Sequence, residues 1–115
     1  MPKRDADLLI SDITESCYKI LEYVKDMNYD SFINDQKTLD AVIRNFEVLG
    51  EACKYISTEL KMNNPLVEWR KISDFRNILI HDYFGINYEI LWKIIEEELP
   101  AQLEFLDKIN DDLNS

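Results

Sequence analysis

Apolar residues recur along this chain at spacings of three and four, the period of an amphipathic helix. Leu9, Ile10, Ile13, Cys17, Ile20, Leu21, Val24 and Met27 mark a first helix from about Asp5 or Asp7 to Asn28. Asp5 and Asp7 suit its positive N-terminal end. Asn28-Tyr29-Asp30-Ser31 is a break, with Ser31 or Asp30 expected to cap a short turn around Phe32. Leu39, Val42, Ile43, Phe46, Leu49, Cys53, Ile56 and Leu60 then form one long stripe, predicting a second helix over roughly Asp35 to Met62. Gly50 lies inside it. An interior glycine costs about 1 kcal/mol relative to alanine, so a closely approaching backbone is expected there.

Met62-Asn63-Asn64-Pro65 ends that helix. A third segment follows Pro65 and runs to about Asp82 or Tyr83, with a kink expected near Ser73. Phe84-Gly85-Ile86-Asn87 reads as a turn, and Asn87 as the cap of a fourth helix over Tyr88 to Glu98. Ile90, Leu91, Ile94 and Ile95 are expected to face inward on it. Pro100 opens or kinks a last helix with the stripe Leu103, Leu106 and Ile109, and the tail from Asp111 to Ser115 is expected to fray. The pattern predicts an all-α bundle of four or five helices with short connections. The first two long helices form its antiparallel pair.

Composition agrees. With 115 residues, 46% of them hydrophobic, the chain fits one domain spanning 1–115 with a single core. Only 2 Gly and 3 Pro argue against an all-β fold, which needs many turns. No apolar signal core follows Met1-Pro2-Lys3-Arg4 and no run approaches membrane-spanning length. The expectation is a cytoplasmic protein with no membrane partner. Cys17 and Cys53 fit no metal spacing and read as buried side chains in a reducing compartment. Trp69 and Trp92 read as core or interface anchors, and Glu96-Glu97-Glu98 as a solvated face.

The charge sharpens the functional question. A formal net charge of -10 excludes a protein that coats nucleic acid through its overall field. Any nucleic-acid site has to be a local cationic patch, or be completed by a second chain. An acidic surface equally suits a partner with a basic face.

Against that background one segment stands out: Arg76-Asn77-Ile78-Leu79-Ile80-His81-Asp82-Tyr83. It holds the only histidine of the chain. At 100° per residue, Ile72, Phe75 and Leu79 define an apolar side, with Arg76 and Tyr83 at its edge. Asn77 and His81 share the opposite face with Arg70 and Asp74. Arg76 and His81 diverge by about 140°. They can converge on one phosphate only if the helix ends near His81, or if a two-fold dimer brings two such segments together.

The functional reading of these residues is metal-independent RNA cleavage. A ribose 2′-hydroxyl attacks the adjacent phosphate, His81 takes or gives a proton, and Arg76 holds charge on the phosphoryl oxygens. Asn77 orients one or the other. Arg44-Asn45 and Gly50-Glu51-Ala52 on the second helix form a polar cluster, in which Arg44 and Glu51 can line or buttress the same site. No carboxylate, His or Cys cluster has metal-ligand spacing, so neither a metal nor a cofactor is expected. A structural reading stands beside each assignment. His81 can cap a helix C-terminus, Arg76 can pair with Glu47 or Glu51, Arg44 can sit in an intrahelical salt bridge, and Tyr83 can simply be packed.

Arg76 to Tyr83 resembles the Arg–four residues–His–any–Tyr motif of HEPN-domain ribonucleases, and more specifically the HepT-type toxins. Ile43-Arg44-Asn45-Phe46-Glu47-Val48-Leu49-Gly50-Glu51-Ala52 is similar to the family's second-helix signature. Trp69-Arg70-Lys71-Ile72, His81-Asp82-Tyr83-Phe84-Gly85, Trp92-Lys93-Ile94-Ile95-Glu96 and Leu99-Pro100 continue the likeness over nearly the whole chain. The resemblance implies an all-α HEPN bundle, a homodimer, and an RNA-cleaving site built from Arg76 and His81 of both chains. It also implies a companion antitoxin, a minimal nucleotidyltransferase that transfers AMP to the motif tyrosine, here Tyr83, and silences the toxin. The alternative is a non-catalytic helical partner, or a nucleotide-binding subunit, of that nucleotidyltransferase.

Overall fold

The computed structural model describes residues 3–81 and 87–114, and side chains over 5–75 and 87–114. The helices among these residues are α1 (Lys3–Tyr23), α2 (Tyr29–Ile33), α3 (Gln36–Lys54), α4 (Thr58–Asn63), α5 (Trp69–His81), α6 (Tyr88–Lys93) and α7 (Leu99–Leu113). A π-helical segment, Ile94–Glu98, joins the last two directly. The fold is all α, as the periodicity predicts, and no strand occurs among the described residues. None of the described helices is long and apolar enough to cross a membrane.

Helix α3 lies at the centre, against α1 on one flank and α5 on another, while α7 covers α1. Helices α1 and α3, 21 and 19 residues long, share the most extensive helix–helix contact among the described residues, and the short connection between them turns the chain back through α2. Ascending one helix descends the other, so the pair is antiparallel, as expected. The buried stripe of α3 (Leu39, Val42, Phe46, Leu49, Cys53) shares one core with Ile10, Ile13, Cys17 and Ile20 of α1 and Leu103, Leu106 and Ile109 of α7. Gly50 is buried within α3.

Several boundaries differ from the sequence expectations, each for a local reason. Helix α1 stops at Tyr23, not Asn28, because Asp26 takes a left-handed backbone (φ 64°) that no α-helix can continue through. Asn28, not Ser31 or Asp30, caps α2. Its Oδ1 accepts from the Ser31 amide at 2.9 Å, and Ser31 Oγ accepts from the Asn28 amide at 3.0 Å, a reciprocal capping box. The predicted second helix is two helices. It ends at Lys54 and restarts at Thr58, where Ser57 Oγ accepts the Leu60 amide at 3.1 Å. Ile56, between them, is buried. Helix α5 begins at Trp69 and runs through Ser73 without a break in its helical bounds.

Asn87 caps α6 as expected, accepting from the Glu89 and Ile90 amides at 3.0 and 3.2 Å. Leu91, Ile94 and Ile95 face inward, but Ile90 is 56% exposed, which overturns its assignment. Residues 88–113 form one continuous helical run rather than two helices. Pro100 lacks an amide and in α geometry would collide with the carbonyl of Glu96; widening to five-residue spacing, with the Leu99 amide donating to the Ile94 carbonyl, accommodates it. The tail stays helical to Leu113. Of the glutamate triplet, Glu96 and Glu97 are exposed, while Glu98 is half-buried and pairs with Lys71.

Both cysteines are buried, as expected. Burial pushes each thiol up to about 12, in Cys17 reinforced by Cys53 and Asp107, in Cys53 opposed by Lys61. A neutral thiol favoured by folding stabilises fully below its ordinary value near 9.0 and loses that contribution as pH rises towards 12. Denaturant midpoints should therefore fall through that alkaline window, and neither thiol should react with iodoacetamide at neutral pH until the chain unfolds. Phe46 is 1% exposed at the junction of α1, α3 and α5. Phe46→Ala should cost about 3–5 kcal/mol in urea unfolding.

Candidate active site

Arg76, Asn77 and His81 all lie on α5, with His81 as its last residue. Their side chains, and all of Tyr83, fall outside the described residues. What the structure supplies is the frame that aims this helix. Phe75, immediately before Arg76, packs edge-on against Phe46 of α3, with ring centroids 5.9 Å apart and planes at 83°. Trp69 and Ile72 are buried. The Trp69 indole N–H donates to the Asn64 carbonyl at 3.0 Å and fixes the α4–α5 connection. Where α5 starts, the Glu68 amide donates to Gln102 Oε1 of α7 at 2.9 Å. Lys71 pairs with Glu98 and, at 3.7 Å, with Glu68. The hydrogen bond with Glu98 is the first cause of a raised Lys71 pKa, so the ammonium keeps its charge.

These contacts set the rotation of α5. The buried line through Trp69 and Ile72 extends to position 76 at about 100° per residue. The exposed line through Arg70 and Asp74 extends to positions 77 and 81. Position 76 is therefore on the side turned towards α3 and position 81 on the outer side, and the divergence of about 140° persists in the folded chain. Phe32 of α2 and Trp92 of α6, with centroids 4.8 Å apart and planes tilted by 34°, tie α6 to α2. Trp69 and Trp92 both act as the anchors expected of them.

Arg44 and Glu51 come together on α3. Both line an open cleft of about 400 Å³ with Asp12, Glu47 and Tyr55. Arg44 Nη1 lies 4.0 Å from Glu47 Oε2, the intrahelical pair anticipated for it, and Glu51 Oε2 lies 3.9 Å from Lys54 Nζ. Asn45 turns back to its own helix, donating to the Ala41 carbonyl at 2.8 Å. Among the described residues no three His, Cys, Asp or Glu side chains gather as a metal-binding group.

The cations Lys61, Arg70 and Lys71 line one cleft at the start of α5, a grouping absent from the sequence expectations. Arg70 was visible on the His81 line of the helical wheel. Lys61 joins it only through the α4–α5 turn, which periodicity does not reveal.

The family profile described as Ribonuclease HepT-like matches residues 13–109. The chain belongs to the HepT-like ribonuclease family. A Methanocaldococcus jannaschii protein provisionally named an RNase is 45% identical over 100 residues, covering 87% of this chain and 92% of the relative. A second protein of that organism, with the same provisional name, is 40% identical over 113 residues, covering 98% and 93%. A Thermococcus cleftensis protein named probable ribonuclease HepT is 37% identical over 99 residues, covering 86% and 90%. No solved structure matches the chain.

Proposed function

We propose that this HepT-like protein is a metal-independent endoribonuclease, the toxin of a toxin–antitoxin pair, with Arg76 and His81 as its catalytic residues. The observation that carries the reading is the placement of the Arg–four residues–His spacing on one continuous helix, in a chain of a ribonuclease family. In the reaction the ribose 2′-oxygen bonds to phosphorus and loses its proton to an imidazole. The P–O5′ bond breaks, and the leaving 5′-oxygen takes a proton from an imidazolium. The products are a 2′,3′-cyclic phosphate and a 5′-hydroxyl. Arg76 steadies the charge that gathers on the phosphoryl oxygens.

Positions 76 and 81 diverge on α5, so one chain does not easily supply both groups to one phosphate. A homodimer with α5 beside the two-fold axis solves this by contributing two His81 imidazoles and two Arg76 guanidiniums. Sedimentation should give a dimer at micromolar concentration, and a monomer there would count against a shared site. Asn77, Arg44 and Glu51 are supporting residues in this reading, orienting the catalytic pair.

Cleavage of total RNA should survive EDTA. It should fall by about 10²–10⁴ in His81→Ala and about 10²–10³ in Arg76→Ala. Arg76→Lys should also be poor, because an ammonium lacks the planar fork that grips two oxygens. A folded His81→Ala protein with full activity would remove the proposal.

Tyr83 is the control point. Near pH 7 a phenol of pKa about 10 is neutral and a poor base, so its task is to accept AMP from a minimal nucleotidyltransferase acting as antitoxin. The added phosphate is an anion placed two residues from His81, where it competes with RNA for the same cations. Coexpression with the nucleotidyltransferase should put AMP on Tyr83 by mass spectrometry, and Tyr83→Phe should fold yet escape silencing. AMP on Tyr88 instead would refute the assignment.

A further inference from the structure

The net charge of -10 leaves open how this chain holds RNA. An open cleft of about 750 Å³ lies between α4 and the first half of α5, and Lys61, Arg70 and Lys71 line it with Glu68 and Asp74. The three cations do not have equal freedom. Lys71 is committed to Glu98 and Glu68. Lys61 and Arg70 form no ion pair with any described residue, and Arg70 is exposed. With Glu68 and Lys71 neutralising each other, what remains is two cations against Asp74.

The direction of the cleft matters as much as its sign. Arg70 and Asp74 lie on the outer line of α5, which continues to positions 77 and 81. Arg70 precedes His81 by eleven residues, about 16 Å along the helix. Trp69, the aromatic residue among those lining the cleft, is buried and its N–H is already engaged by Asn64. It offers no exposed ring for base stacking, which leaves contacts to the phosphate backbone.

We infer that Lys61 and Arg70 form a phosphate-binding track for single-stranded RNA, guiding the strand along the outer face of α5 to His81. The inference rests on the nuclease reading for what happens at His81, but not for the binding itself. Screening makes it work in an acidic protein. At physiological salt the field of a distant carboxylate fades within about 8 Å, while a cation in contact with a phosphate is not screened from it. The track reads no sequence, because phosphate contacts position a strand without identifying its bases. Asp74, between Arg70 and His81, opposes the strand and moderates its affinity.

The test uses full-length His81→Ala protein and a fluorescent single-stranded RNA of mixed sequence, followed by anisotropy across salt. His81→Ala should bind. Adding Lys61→Glu and Arg70→Glu should weaken binding about tenfold or more and flatten the log–log salt slope by roughly 1.4, the value for two lost phosphate contacts on a single strand. Adding Asp74→Asn alone should tighten it. Lys61→Gln with Arg70→Gln, checked by circular dichroism, guards against a folding defect and should give an intermediate loss. Unchanged affinity and slope in the charge-reversed protein, or no RNA binding by His81→Ala, would overturn the track. With His81 intact, the neutralised pair should raise KM and leave kcat alone. Cleavage that needs His81 but ignores both cations would sink the track and spare the nuclease. Track-dependent binding without any cleavage would do the reverse.

Discussion

The structure depends on the burial of one stripe, Leu39, Val42, Phe46, Leu49 and Cys53 of α3. A helix with a single apolar line normally serves one neighbour. This one serves α1 and α5 together, because its buried side chains are long enough to reach both flanks. Phe46 shows how. It shares a small apolar cavity with Cys17 of α1 and Ile72 of α5, and its ring edge meets Phe75. The rotation of α5, and with it the direction of positions 76 and 81, is therefore set from the core. Close packing resists continuous adjustment, so a helix held through the Phe46–Phe75 ring contact has little freedom to rotate.

The other end of α5 is fixed by polar groups. Gln102 receives the Glu68 amide, and Lys71 bridges Glu98 and Glu68. An exposed ion pair contributes about 0–1 kcal/mol, so these contacts specify geometry more than they add stability. Glu98 is the last residue of the π segment and lies just before Pro100. The proline thus does more than interrupt a helix: it accompanies the local widening that leaves Glu98 at α5. π segments are frequent near functional sites, and here the link is mechanical, from Pro100 through Glu98 to the helix that carries the Arg–His motif.

The helical content, the antiparallel α1–α3 pair and the core lines were legible because they rest on a period of 3.6 that burial enforces. The errors fall where a single residue overrides that period. Asp26 ends α1 in a left-handed turn although Met27 keeps the apolar rhythm. Ile56 belongs to the stripe of a long helix but enters the core from the gap between α3 and α4. Ile90 was placed inward by its spacing to Ile94. On α6 the burial centres on Leu91, and Ile90 lies about 100° away from it. For the candidate site, the motif positions and their angular separation were readable, since both follow from residue number on a helix. The cation cleft was not, because it needs Lys61 and Arg70 to meet across a turn held by the Trp69–Asn64 hydrogen bond.

An acidic ribonuclease-family protein faces opposed electrostatic demands, and α5 separates them along its length. Its N-terminal half carries Arg70 on the outer line, beside Lys61 of α4, and neither forms an ion pair with a described residue. Its C-terminal end carries the only histidine. At low salt, repulsion by the other carboxylates slows the approach of RNA and disfavours loose, non-specific coating. Short-range phosphate contacts still reward a strand that lies along the helix. For the proposed track the consequence is selectivity by path rather than by overall field: a phosphate backbone would gain attraction where it follows the outer face of α5. In the proposed regulation, an AMP on Tyr83 would act where the proposed track meets His81. On that reading it need not neutralise the cations of the cleft, because an added phosphate two residues from His81 in the sequence competes with the strand there.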